Sequence, residues 1–146
     1  MIYLLDSNVC IVYLKAKNEK LKRRLEALSS ADIAVCSVTK SELFSGANKS
    51  NNPQRGIETQ KKFFSQFVSL TFDDNAAEFY AEARSKLESL GTPIGSYDLQ
   101  IAAIALANNL ILVTHNVREF SRVEGLCCIK VYSCRTCSEW RSRAEQ

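Results

Sequence analysis

Four short apolar runs, Ile2–Leu5, Ile33–Cys36, Leu70–Phe72 and Leu110–Val113, are spaced along the chain by segments whose apolar residues recur at helical spacing. A fifth run lies near Cys128–Tyr132. Phe63, Phe64, Phe67 and Val68 show the helical period, as do Ala77, Tyr80, Ala81, Arg84 and Leu87. Short apolar strands alternating with helices predict an α/β fold, with a central, mostly parallel sheet of four to five strands and helices on both faces. The expected helices span 7–15, 19–28, 38–49, 54–68, 75–90 and 97–107, with a short turn at 117–120.

At 146 residues, 46% of them hydrophobic, the chain is long enough for one domain with a sizeable core. Its apolar content and a net charge of only +3 exclude the disordered class. The most apolar stretch, Ile101–Val113, is interrupted by Asn108 and Asn109 and is too short to span a bilayer. The N-terminal MIYLLDSN has no basic region and its apolar run stops at Asp6, so no secretory signal is expected. A cytoplasmic protein is the expectation. One domain over residues 1–132 and a poorly ordered Cys- and Arg-rich tail over 133–146 complete the layout.

In a parallel sheet the carboxyl ends of the strands form one edge, where ligands bind. Asp6 directly follows the first strand, Glu42 follows the second by about a helical turn, and Asp98 begins the helix that precedes the fourth. Thr114, Asn116 and Glu119 follow that fourth strand. Distant parts of the chain thus bring acids and amides to one side. Clustered carboxylates repel unless a cation binds or some protonate. Oxygen donors favour Mg²⁺ or Mn²⁺, ions suited to in-line displacement at a phosphate. Each acid also has a local explanation. Asp6 or Ser7 can cap the first helix, Thr39-Lys-Ser-Glu42 and Asn116-Val-Arg-Glu119 read as capping boxes, and Asp98 complements a helix dipole.

The segments MIYLLDSNVCIVYLK, CSVTKSELFSGANKS and GTPIGSYDLQIAAIALANNLILVTHNVREFSRVEGL resemble PIN-domain ribonucleases, specifically the VapC-type toxins of toxin–antitoxin systems. The closest likeness is to the initiator-tRNA-specific endonucleases, and it covers residues 1 to about 126. The resemblance implies a PIN fold and Mg²⁺- or Mn²⁺-dependent RNA cleavage leaving 5′-phosphate and 3′-hydroxyl ends. It carries Asp6, Glu42 and Asp98 onto the family's acidic positions, with Asp6 and Asp98 as the principal metal ligands. Many PIN domains have an Asp just after the fourth strand, where this chain reads Thr114-His115-Asn116. Glu119 is the candidate fourth carboxylate, and Asn8, Thr114 and Asn116 are supporting groups. The resemblance further implies a homodimer, tRNA as substrate and a cognate VapB-type antitoxin covering a groove lined by the early helices. It also implies a heterotetramer or larger assembly with that antitoxin, and operator DNA contacted only through it.

Substrate grip requires positive charge near these acids. Residues 15–24 hold Lys15, Lys17, Lys20, Lys22, Arg23 and Arg24 against Glu19, and Arg118 and Arg122 lie close in sequence to Glu119. Lys15, Lys17, Arg118 and Arg122 are the candidate RNA-binding residues, although a solvated helix face is the more frequent explanation of a charge run.

Other classes fit less well. A phosphoryl-transfer enzyme or receiver domain would place a second acid where Asn8 stands, or a Gly-rich phosphate loop, and neither is present. A non-catalytic PIN-like RNA-binding module would be expected to have lost one of Asp6, Glu42 or Asp98. A zinc or redox protein would rely on Cys127, Cys128, Cys134 and Cys137, which contain a single C-x-x-C pair. Cys10 and Cys36 sit in apolar settings and read as small core residues.

Overall fold

The computed structural model describes residues 1–15 and 18–130. The strands are β1 (Tyr3–Leu5), β2 (Ile33–Cys36), β3 (Val68–Leu70), β4 (Ile111–Thr114) and β5 (Cys128–Lys130). The helices are α1 (Ser7–Leu14), α2 (Glu19–Glu26), α3 (Ser37–Asn48), α4 (Pro53–Phe64), α5 (Asp74–Ser89), α6 (Ser96–Ala107) and α7 (Val117–Phe120). All four strand pairings are parallel, in the order β3-β2-β1-β4-β5. The expected tail at 133–146, and the end of the expected fifth strand, lie outside the described residues.

Alternation along each strand sends side chains to two cores. Tyr3, Leu5, Ile33, Val35, Ile111 and Val113 face one that includes Val9, Leu25, Phe63 and Phe64. Leu4, Ala34, Cys36 and Leu112 face the other, with Ala76, Leu87, Leu99 and Phe120. The sheet is therefore apolar on both sides, which explains why its strands read as continuous apolar runs. Cys10 and Cys36 are wholly buried in these cores.

Two neighbouring elements depart from their sequence reading. The third strand is Val68–Leu70 rather than Leu70–Phe72, and α4 ends at Phe64. Helical spacing runs on through Phe67 because the chain leaves α4 in a tightened turn, with Gln66 N–H donating to Phe63 O and Phe67 N–H to Phe64 O. Phe67 meets Phe63 edge-on from that turn. Val68 already pairs with Ala34, and its exposure is that of an edge-strand residue.

Strand order places the functional edge. From β1 the chain moves outward through β2 and β3, then returns to β1's other side as β4 and β5. The β1–β4 boundary is thus the switch point, outside whose carboxyl ends ligands bind in open α/β sheets. α6 turns into β4 through Asn109, whose φ of 54° is the left-handed conformation that Asn tolerates after a helix. This reversal puts Asp98, at the start of α6, on the same edge as the end of β4.

Candidate active site

Asp6 follows the last residue of β1 and caps α1, and only 3% of its surface is exposed. Its Oδ1 accepts from Ser7 N–H at 2.8 Å, and its Oδ2 accepts from Thr114 Oγ1 at 2.7 Å. Thr114 is the last residue of β4 and fully buried, and its hydroxyl also accepts from Asn116 N–H at 3.0 Å. Asn116 Nδ2 in turn donates to Glu119 Oε2. On the other side of Asp6, Ser7 Oγ donates to Thr39 Oγ1 at 3.3 Å. Thr39 is buried in the first turn of α3, the helix that carries Glu42. A chain of hydrogen bonds therefore runs from Glu119 through Asn116, Thr114, Asp6 and Ser7 to the helix of Glu42.

Two of the local explanations for the acids can now be tested. α3 begins at Ser37 with no side-chain cap, so Thr39 and Glu42 do not form a capping box. Asn116 caps α7 without a side-chain bond to its backbone, spending its amide on Glu119 instead. Asp6, by contrast, both caps its helix and faces the other acids.

Electrostatics ties these groups together. Burial pushes Asp6 above its ordinary carboxyl value, the bonds from Thr114 and Ser7 oppose that rise, and Glu42 adds to it. Asp98 is pushed up to about 6, first by burial and then by the charges of Asp6, Glu119 and Glu42. Among the described residues no donor bonds the Asp98 carboxylate. Burial holds the half-buried His115 below its ordinary value, with Asp6 opposing and Lys130 reinforcing.

Among the described residues, no three Asp, Glu, His or Cys side chains stand close enough to enclose a metal ion. The fit to a divalent cation rests on the donor set: four carboxylates, neutral amide and hydroxyl oxygens, and an Asp98 oxygen pair that lacks a donor. Oxygen-only, negatively charged surroundings of this kind suit Mg²⁺ or Mn²⁺.

The remaining expected residues separate. Asn8 is exposed on α1, one residue beyond Ser7. Lys15 lines a groove of about 730 Å³ together with Ile11, Leu14, Glu42, Leu43 and Arg55. Arg118 is exposed beside Glu119. Arg122 stands elsewhere: it lines a different groove with Lys86, Leu106 and Asn109, at the end of α6 opposite Asp98. The turn after Phe120 carries it away from the acids, so nearness in sequence to Glu119 was misleading. Lys17 lies outside the described residues. Lys20, Lys22 and Arg23 are exposed on α2, whereas Arg24 is buried.

Sequence reasoning missed three groups: Thr39, Arg55 and Lys130. Lys130 is in register with Thr114 and so ends β5 at the acidic edge. The parallel pairing of the fifth run with the fourth was its available signal. Arg55 had none, because its place in the groove depends on how α4 packs on α3.

A family model for the PIN domain matches residues 3–126. The tRNA(fMet)-specific endonuclease VapC of Salmonella typhimurium is 37% identical over 124 residues, which are 85% of this chain and 93% of the relative. Ribonuclease VapC2 of Rickettsia felis is 35% identical over 127 residues, 86% of this chain and 95% of the relative. Among solved structures, DNA-bound VapBC from Salmonella typhimurium superposes with a TM-score of 0.85 at 35% identity, covering 90% of this chain and 98% of that one.

Proposed function

The chain belongs to the PIN-domain family, among the VapC-type ribonucleases, and from that membership we propose that it is a divalent-metal-dependent endoribonuclease and the toxin of a toxin–antitoxin pair. Its proposed substrate is tRNA, with initiator tRNA cut in the anticodon loop and translation inhibited as a result. Support for the substrate comes from the Salmonella relative named for tRNA(fMet). The observation that carries the chemistry is the convergence of charge at the sheet's switch point, where Asp6, Glu42 and Glu119 all act on the Asp98 carboxyl and Glu42 also acts on Asp6.

In this reading Asp6 and Asp98 hold the cation, Mg²⁺ or Mn²⁺, and Glu42 and Glu119 complete direct or water-bridged contacts. When bound, such an ion activates water and neutralises charge that develops on the scissile phosphate and leaving oxygen. The protein's own part is preorganisation. Thr114 and the Ser7 N–H fix both oxygens of Asp6 and oppose the rise that burial imposes on its carboxyl. Asn116 holds Glu119 in place. Lys15 and Arg118, with Arg55 and Lys130 as additional cations, receive phosphates flanking the cut. His115 is assigned no proton-transfer step.

The solved relatives include complexes named VapBC, two of them with DNA. By that likeness the groove beside Glu42 is the proposed seat of a VapB-type antitoxin peptide, with operator DNA contacted through the antitoxin. A homodimer, joined into a heterotetramer or larger assembly with antitoxin, is the proposed state. No described helix is long and apolar enough to cross a membrane. The proposed substrate and partner belong in the cytoplasm.

The test is direct. Purified protein is incubated with total RNA and Mg²⁺, and new 5′ ends are mapped. One dominant cut in the initiator-tRNA anticodon loop, abolished by EDTA and by Asp6→Asn in a protein with unchanged circular dichroism, is the expected result. Full cleavage by Asp6→Asn would refute the assignment, and cleavage of a different RNA would refute the substrate alone.

A further inference from the structure

Thr39 is fully buried, yet no local backbone need explains its hydroxyl. Because α3 begins at Ser37, Thr39 lies inside the helix and does not cap it. A β-branched hydroxyl residue within a dry helix costs stability unless its oxygen is bonded. Here that oxygen accepts from Ser7 Oγ at 3.3 Å and from Cys36 Sγ at 3.5 Å. The first bond reaches across from the β1–α1 junction, and the second comes from the last residue of β2. Glu42 follows Thr39 by three residues, one turn along the same helix. Asp6 precedes Ser7 directly and accepts from its N–H.

We propose that Thr39 is a positioning residue: its hydroxyl ties the helix of Glu42 to the junction of Asp6 and thereby sets the separation of these carboxylates for divalent-cation binding. This rests on the metal-dependent reading above. Valine has nearly the shape of threonine, so packing alone would be preserved by Thr39→Val. What that change removes is the acceptor shared by two buried donors. Groups that orient metal ligands from one shell out typically contribute about 10- to 100-fold to metal affinity. The 3.3 Å contact is a long one, so the lower end applies.

The test uses the full chain and Mn²⁺ alone, with free ion followed by electron paramagnetic resonance at a temperature where every variant is folded. Thr39→Val is expected to weaken Mn²⁺ binding about 10-fold, and Thr39→Ser to retain the wild-type affinity. Ser7→Ala should match Thr39→Val, and the double variant should be no weaker than either single one, because both break the same link. Leu28→Ala, a core change beside Ile33 at the edge of the sheet opposite the acids, should lower the melting temperature and leave Mn²⁺ affinity unchanged. Wild-type affinity in Thr39→Val, a double variant whose losses multiply, or an equal loss in Leu28→Ala would each overturn the positioning role. Absence of Mn²⁺ binding in the wild type would overturn the metal-dependent reading as well, a distinct outcome.

Discussion

Replacing Asp98 by Asn should stabilise the metal-free protein while removing its activity. The side chain is half-buried at the start of α6, and its pKa rises from an ordinary 3.8 to about 6 through burial and the charges of Asp6, Glu119 and Glu42. An acid with a raised folded-state pKa favours folding below pH 3.8, and that contribution is lost as pH climbs through about 6. The rise corresponds to about 3 kcal/mol. Water reaching the half-buried carboxylate screens its neighbours, which leaves about 1–2 kcal/mol. A carboxylate in the first turn of a helix also gains about 0.3–1 kcal/mol from the dipole, which the variant forgoes. The crowding of like charge wins. Asp98→Asn is therefore expected to be about 1 kcal/mol more stable than wild type at pH 7.5 in EDTA, or about 2–4 °C in melting temperature. The gain should vanish near pH 4, where the wild-type carboxyl is protonated. Added Mg²⁺ should reverse the order by stabilising only the wild type. Urea or thermal denaturation at the two pH values measures all three. A variant less stable than wild type at pH 7.5 in EDTA would refute the crowded-acid picture.

Thr114→Val removes the donor to Asp6 Oδ2 and leaves a buried carboxylate short of a partner, a loss of about 1–3 kcal/mol in denaturation. Because that bond lowers the Asp6 pKa, its removal should also move the acid limb of the cleavage profile to higher pH, and an unmoved limb would count against it. Lys15→Gln and Arg118→Gln should raise KM at constant kcat and flatten the salt dependence, each by about 0.7 in the logarithmic slope for a single-stranded target. Arg122→Gln, at the far end of α6 from Asp98, should change neither quantity, and a matching loss there would contradict the placement of the RNA path.

The alternation of short apolar runs and helical segments was enough to read the architecture. Strands buried on both faces, such as Ile33–Cys36 with Ile33 and Val35 in one core and Ala34 and Cys36 in the other, leave no polar face to obscure them. The edge strand was harder. Phe63, Phe64 and Phe67 keep a helical rhythm through the turn that ends α4, so periodicity alone overran Val68. The acidic edge was legible for a topological reason: in a parallel sheet, any residue just after a strand or at the start of an antiparallel helix comes to the same side. That rule fixes which edge a residue reaches, but not what it meets there. Arg122 is three residues past Glu119, yet the turn after Phe120 carries it to the other end of α6. Thr39 matched a capping box, and only the start of α3 at Ser37 showed that its hydroxyl serves a residue from another part of the chain. Buried hydroxyls are the least legible members of such a site. Their partners are chosen by closure of the tertiary structure, and a Thr in a helix carries the same local signature whether it bonds its own backbone or a serine hydroxyl 32 residues away beside a carboxylate. The acids declare the chemistry in the sequence, and the hydroxyls that hold them in place become visible only once β1, β2 and β4 lie side by side.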